Sequence, residues 1–140
     1  MHTLSLIDVE LLSQRLLTAS GASPLQAGAT ARSIRDAEAD GLRTVGLAYL
    51  PTYCDHVACG KVDGNAVPTV RSPRAATVVV DAHHGFSHPA FDVGQAPLVD
   101  AARHCGIAMM AISDDELANI TATSPSAAKR STNQPSTPAE

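Results

Sequence analysis

The sequence predicts an α/β fold in which three helices are followed by the start of a mixed sheet layer. Three observations carry this. Apolar residues recur at helical spacing up to Gly60. A β-branched run, Thr77-Val78-Val79-Val80-Asp81, follows a proline-bracketed connector. A second apolar run, Gly106 to Ile112, lies beyond one further helical stretch, which makes a βαβ unit.

The first helix is read from Ser5 to Ser20, where Leu6, Val9, Leu12, Leu16 and Leu17 share one face and Gly21 is the stop. Ser23-Pro24 opens the second helix with an N-cap and a proline at the first helical position. Ala27, Ala31, Ile34 and Ala37 carry it toward Gly41. The third falls between Thr44 and Gly60 through Leu47, Leu50, Cys54, Val57 and Ala58, with Pro51 near its start or kinking it. Lys61 to Asn65 is turn chemistry, and Thr69 to Ser72, between Pro68 and Pro73, reads as an extended connector on the surface. In the crossover helix, Pro89 to Cys105, Pro97 predicts a kink or break after Val93. Residues 1–68 are thus expected to be a helical segment, 69–112 a partial α/β segment and 113–140 a disordered tail. From Thr121 onward no apolar periodicity offsets chain entropy.

Composition narrows the function classes. With 140 residues, one core is the ceiling; with aromatics at 3%, that core is aliphatic. The net charge is −4 with scattered Lys and Arg, which argues against nucleic acid. No run reaches bilayer-spanning length, and the first residues lack the basic and apolar regions of a secretory signal. Cys54, Cys59 and Cys105 form no C-x-x-C pair, as expected of reduced thiols in the cytoplasm.

Two polar clusters are candidates for chemistry. In Asp81-Ala82-His83-His84-Gly85-Phe86-Ser87-His88, three imidazoles and a carboxylate could ligate zinc, but the spacing matches no zinc signature. The preferred reading is a solvated turn in which Ser87 or His88 closes the next helix before Pro89. A single Gly85 cannot form G-x-G-x-x-G, so a Rossmann site is not supported. In Asp40-Gly41-Leu42-Arg43-Thr44-Val45-Gly46, Thr44 is read as the cap of the third helix and Arg43 as a cation able to hold an anionic substrate.

At these residues the sequence resembles the malate/L-lactate dehydrogenase-type family of NAD(P)H oxidoreductases, nearest its branch reducing piperideine-2-carboxylate and pyrroline-2-carboxylate. The resemblance spans residues 5–112. It rests on Glu38-Ala39-Asp40-Gly41-Leu42, Gly46-Leu47, Leu50-Pro51 with Tyr53, Gly60-Lys61-Val62-Asp63-Gly64 with Pro68, Val80-Asp81, Gly85-Phe86, Pro89-Ala90 and Gly106-Ile107-Ala108.

It implies NAD or NADP as cofactor, a small 2-keto or cyclic 2-imino acid as substrate, a possible homodimer, and a chain truncated relative to the family. It also implies that Thr44-Val45 stand where members carry a Ser-His pair whose His donates a proton, so Thr44 keeps the hydroxyl and Val45 has no proton to give. Tyr49 falls where members place a carboxylate-gripping arginine, with Arg43 a nearby substitute. Asp114-Asp115-Glu116 stand where a His-bearing stretch should meet the cofactor. The expectation is an oxidoreductase impaired or inactive as this chain; the alternative is a noncatalytic module for self-association or partner binding. The change of character after Ile112 raises a shifted reading frame as the origin of the tail.

Overall fold

A computed structural model describes residues 3–114 of the chain. Helix α1 spans Leu6–Ala19. Ser5 caps it through a reciprocal box: the Asp8 N–H donates to Ser5 Oγ at 3.1 Å and the Ser5 N–H donates to Asp8 Oδ2 at 3.2 Å. The Ser5 hydroxyl also donates to Asp8 Oδ2 at 2.6 Å, and this bond, with the one from the Ser5 N–H, holds the Asp8 carboxyl below its usual range. Val9, Ser13 and Leu17, four residues apart, form the buried face.

That face packs on α2, Pro24–Ala39, capped by the Ser23 hydroxyl. Ala27 and Ala31 are fully buried, and their small side chains let the two helices approach closely. Gly41, at φ 75°, ends α2, and the Leu42 N–H reaches back to the Ala37 carbonyl.

The third helical segment differs from expectation. A 3-10 turn, Leu47–Tyr49, leads directly into α3, Leu50–Ala58, and Pro51 sits in the first turn of α3, where a missing N–H costs nothing. Thr44 does not cap either piece. Gly46 precedes the 3-10 turn and Tyr49 precedes α3, both without a side-chain cap bond.

The sheet order is β1-β2-β3. The expected surface connector is strand β1, Thr69–Arg74, antiparallel to β2, Thr77–Asp81. Pro73 is accommodated because the register shifts between Arg71 and Arg74, an irregularity that removes the demand for its N–H. Strand β3 is Met109–Ser113, starting later than the apolar run, and pairs parallel to β2 from Thr77↔Met109 to Asp81↔Ser113. The sheet is therefore mixed.

Helix α4, Ser87–Cys105, crosses between the parallel strands as one helix with Pro97 inside it. The predicted break is absent; Pro97 removes a single bond to the Val93 carbonyl, and packing of Ala90 and Leu98 on the sheet holds both halves. Its cap is Phe86, without a side-chain bond, rather than Ser87 or His88. Gly94 allows the close approach: a Cβ there would lie 2.7 Å from Val80 Cγ2.

Two apolar clusters result. One joins the helices through Val9, Leu17, Ala27, Ile34, Leu50, Val57 and Phe86. The other joins α4 to the sheet through Val78, Val80, Ala82 and Ala90. Gln26, fully buried, ties the layers: its Nε2 donates to the Ala66 carbonyl at 2.7 Å and its Oε1 accepts the Phe86 N–H at 2.9 Å. The expected tail falls almost wholly outside the described residues.

Candidate functional site

The turn after α2 is built by backbone bonds. The Val45 N–H donates to the Leu42 carbonyl and the Gly46 N–H to the Arg43 carbonyl. Glu38 anchors it from α2, its Oε1 accepting the Leu47 N–H at 2.8 Å. Its carboxylate lies where a side chain on Gly46 would go, so a larger residue there would have to displace Glu38. Arg43 and Thr44 project from this turn into solvent, and Val45 is 50% exposed. The turn thus presents a hydroxyl, a cation and an apolar side chain without a proton donor.

Three of the four Tyr and Phe residues gather beside it. Tyr49 meets Tyr53 edge-on at 4.8 Å between centroids, and Tyr53 meets Phe86 at 5.4 Å and His88 at 5.7 Å. Burial pushes the Tyr53 phenol up. These rings connect the turn to the start of α4.

His88 lines a cleft of about 420 Å³ between α2 and α4, with Arg32, Ser33, Asp36, Ser87, Phe91, Asp92 and Ile112 around it. Burial lowers the His88 pKa below its usual 6.5, outweighing the nearby Asp92 charge, so the ring is neutral at pH 7. Its Nδ1 lies 3.5 Å from the buried Thr30 hydroxyl. Arg32 is already committed to Asp92 at 2.6 Å. Neither Arg43 nor Thr44 lines this cleft.

The other histidines go elsewhere. His83 and His84 adopt φ values of 50° and 61°, in the left-handed region. The His83 N–H donates to Asp81 Oδ1 at 2.8 Å, and His83 Nε2 lies 3.0 Å from Thr69 Oγ1. The His84 N–H donates to Asp114 Oδ1 at 3.1 Å. The zinc set His83, His84 and His88 is therefore not brought together, and the described residues contain no group of three ligating side chains suited to a metal. Asp114 thus serves this turn.

Open α/β sheets take nucleotide phosphates at the carboxyl end of a parallel strand, in a glycine turn leading to a helix. Here that turn is filled. A Cβ on Gly85 would lie 2.6 Å from Gln26 Nε2 and 2.8 Å from Ala66 Cβ, so Gly85 serves packing. The Phe86 N–H is taken by Gln26, while Asp81 and Asp114 bring negative charge to the same end. These residues do not fit a pyrophosphate.

Sequence reasoning missed Gln26, the cleft and the ring cluster. The ring cluster had a signal: in a chain this poor in aromatics, Tyr49 and Tyr53 sit four apart and Phe86 follows the glycine turn.

Fold and site together define an α/β scaffold in which a helical layer is locked onto an open mixed sheet, without a Rossmann phosphate loop. The family described as malate/L-lactate dehydrogenase matches residues 4–129, and the chain belongs to it. The match continues past Ile112, the end of the resemblance read from the sequence.

A Delta(1)-pyrroline-2-carboxylate/Delta(1)-piperideine-2-carboxylate reductase of Pseudomonas syringae pv. tomato is 40% identical over 101 residues, covering 72% of this chain and 29% of that protein. A (2R)-3-sulfolactate dehydrogenase (NADP(+)) of Chromohalobacter salexigens is 37% identical over 109 residues, covering 78% and 32%. Among solved structures, delta1-piperideine-2-carboxylate reductase from Pseudomonas syringae pv. tomato superposes with a TM-score of 0.77 at 38% identity, over 80% of this chain and 34% of that one. Malate dehydrogenase from Entamoeba histolytica shares the fold, with a TM-score of 0.71 at 21% identity over 79% and 31%. The chain spans 29% to 34% of the length of the curated relatives it matches. Among the described residues, no helix is long and apolar enough to cross a membrane.

Proposed function

We propose that this chain carries the helical layer and first strands of an NAD(P)H-dependent reductase of small 2-keto or cyclic 2-imino acids, and that its chemistry is impaired as it stands. The observation that carries the reading is the Glu38-anchored turn, built as a rigid platform but bearing Val45 at the position that the family resemblance assigns to a proton donor. Hydride delivery to an imine or ketone needs a proton at the adjoining heteroatom. Thr44 keeps a hydroxyl on the turn, and Arg43 is the cation within reach of a substrate carboxylate in place of Tyr49. A nicotinamide cofactor would supply hydride when bound, but the β2–α4 turn does not fit its pyrophosphate. The division into a helical segment, 1–68, and a sheet segment, 69–112, belongs to this reading.

The test is NADPH fluorescence and absorbance with the purified 140-residue chain and Δ1-pyrroline-2-carboxylate. The reading predicts no substrate-dependent NADPH oxidation with cofactor at about 1 mM, a concentration at which only weak sites stay empty. Turnover above the protein-free rate would refute the impairment.

A second reading, a noncatalytic module that binds its own kind, is favoured by the exposed apolar side of α1.

A further inference from the structure

At the carboxyl end of β2 the strand register sets Thr69 of β1 directly across from Asp81, so the two side chains stand on one face of the sheet. His83 folds back onto that face from a left-handed backbone at φ 50°, with its N–H donated to Asp81 Oδ1 at 2.8 Å. Its ring then lies between the other two side chains. Nδ1 is 3.5 Å from Asp81 Oδ2, and Nε2 is 3.0 Å from Thr69 Oγ1. Carboxylate, imidazole and hydroxyl follow one another in a single chain of contacts.

This is the order in which a hydroxyl is made nucleophilic. A carboxylate beside Nδ1 favours the tautomer that carries its proton on that nitrogen, which leaves the Nε2 lone pair to accept from the Thr69 hydroxyl. Burial supports the same division of roles. The Asp81 side chain is only 15% exposed, whereas His83 is 39% exposed and Thr69 lies at the surface, where a small ester can reach it. Local constraints hold all three: a cross-strand pairing for Thr69 and Asp81, a backbone bond for His83, and a β-branched side chain with few rotamers for Thr69. Stabilising the left-handed turn needs only the bond from the His83 N–H to Asp81; it does not require the ring to reach Thr69.

We propose that Thr69 is an acyl-accepting nucleophile toward activated esters of short carboxylic acids, with His83 as its general base and Asp81 as the positioning residue. Thr69 Oγ attacks the ester carbonyl carbon while its proton passes to His83 Nε2. The bond from that carbon to the leaving oxygen breaks, the imidazolium returns the proton to that oxygen, and acyl-Thr69 remains. Water then attacks the acyl carbon and gives a proton to His83. The carbon–Oγ bond breaks, Oγ regains its proton from the imidazolium, and the carboxylic acid departs.

The test is 4-nitrophenyl acetate added to the 140-residue chain, with peptide mass spectrometry to locate and time the acetyl group. Acetylation of Thr69 is the expected result. His83→Gly, a residue suited to φ 50°, is expected to slow it about 10²-fold, and added imidazole to restore it. Asp81→Asn keeps an oxygen for the His83 N–H and is expected to slow acetylation about tenfold. Because Asp81 acts only through the ring, it is expected to add no further loss on top of His83→Gly, which a merely structural role would not give. Thr69→Ser keeps a hydroxyl and is expected to be acetylated at the same position.

Acetyl groups on other side chains but none on Thr69 would overturn the proposal. So would a His83→Gly chain acetylated at Thr69 as fast as wild type, or one with the wild-type circular dichroism spectrum that imidazole does not rescue. Equal slowing by Asp81→Asn with and without His83→Gly would also overturn it. None of these readouts involves NADPH, so failure here and failure of the reductase reading are distinguishable.

Discussion

Replacing Gln26 with leucine tests the joint between the helical layer and the sheet. Gln26 is fully buried and makes two bonds to backbone groups distant in sequence, the Ala66 carbonyl and the Phe86 N–H. Leucine has a similar volume but no polar atom, so both groups are left without a partner and water is kept out. Each buried orphan costs about 1–3 kcal/mol, so Gln26→Leu, which leaves two, is expected to lose about 2–6 kcal/mol. For a domain of this size, that lowers Tm by roughly 10–20 °C. The assay is thermal unfolding followed by circular dichroism, with Gln14→Leu, on a half-buried site of α1, as control. The control is expected to change stability by under about 0.5 kcal/mol. A Gln26→Leu protein melting within about 2 °C of wild type would refute the assignment of Gln26 as the joint.

Gly94→Ala puts a methyl 2.7 Å from Val80 Cγ2 on the sheet, and about 1–3 kcal/mol of overpacking is expected by urea unfolding; an unchanged midpoint would contradict the close approach of α4. His88 titrates below its usual 6.5 in the folded chain. The unfolded chain therefore takes up the proton first as pH falls, and stability that is complete above pH 7 declines toward pH 5. His88→Gln is expected to flatten this slope in unfolding experiments across that range, and equal slopes would count against the burial of the ring. Val45→His on the exposed turn is expected to leave Tm within about 2 °C of wild type, which calorimetry checks; a larger loss would show that Val45 has a packing role.

Much of the scaffold was legible because local signals agree with tertiary demand. Ser23 caps α2 as its place before Pro24 predicts, and the first helix starts at Ser5, where the apolar spacing puts it. The β-branched run of β2 is the buried centre of the sheet. Failures arose where long-range pairing overrides a local breaker. Pro73 is harmless at a register shift, and Pro97 is carried by packing on β2 and β3. Thr44 looked like a cap because capping is a local motif, yet the backbone turn pinned by Glu38 moved the helix start downstream. Gln26 was illegible for a related reason: its partners lie 40 and 60 residues away, and nothing near a glutamine marks it as buried.

The Arg43-Thr44-Val45 segment is visible in the sequence as a turn, whereas the cleft is not. Sequence spacing places three histidines within six residues, but the left-handed backbone at His83 and His84 sends them to different partners. Only the fold brings His88 beside Tyr53 and Thr30.

As proposed, the scaffold is that of a reductase in which Val45 stands at the position of the proton donor. The most direct measurement is NADPH oxidation by a chimera in which residues 3–114 replace the matching third of the Pseudomonas syringae reductase, compared with the same chimera carrying Val45→His. Both chimeras are expected to bind NADPH, and Val45→His to raise kcat by about 10²–10⁴-fold, the usual contribution of a placed general acid. Equal kcat values in two folded, cofactor-binding chimeras would contradict it.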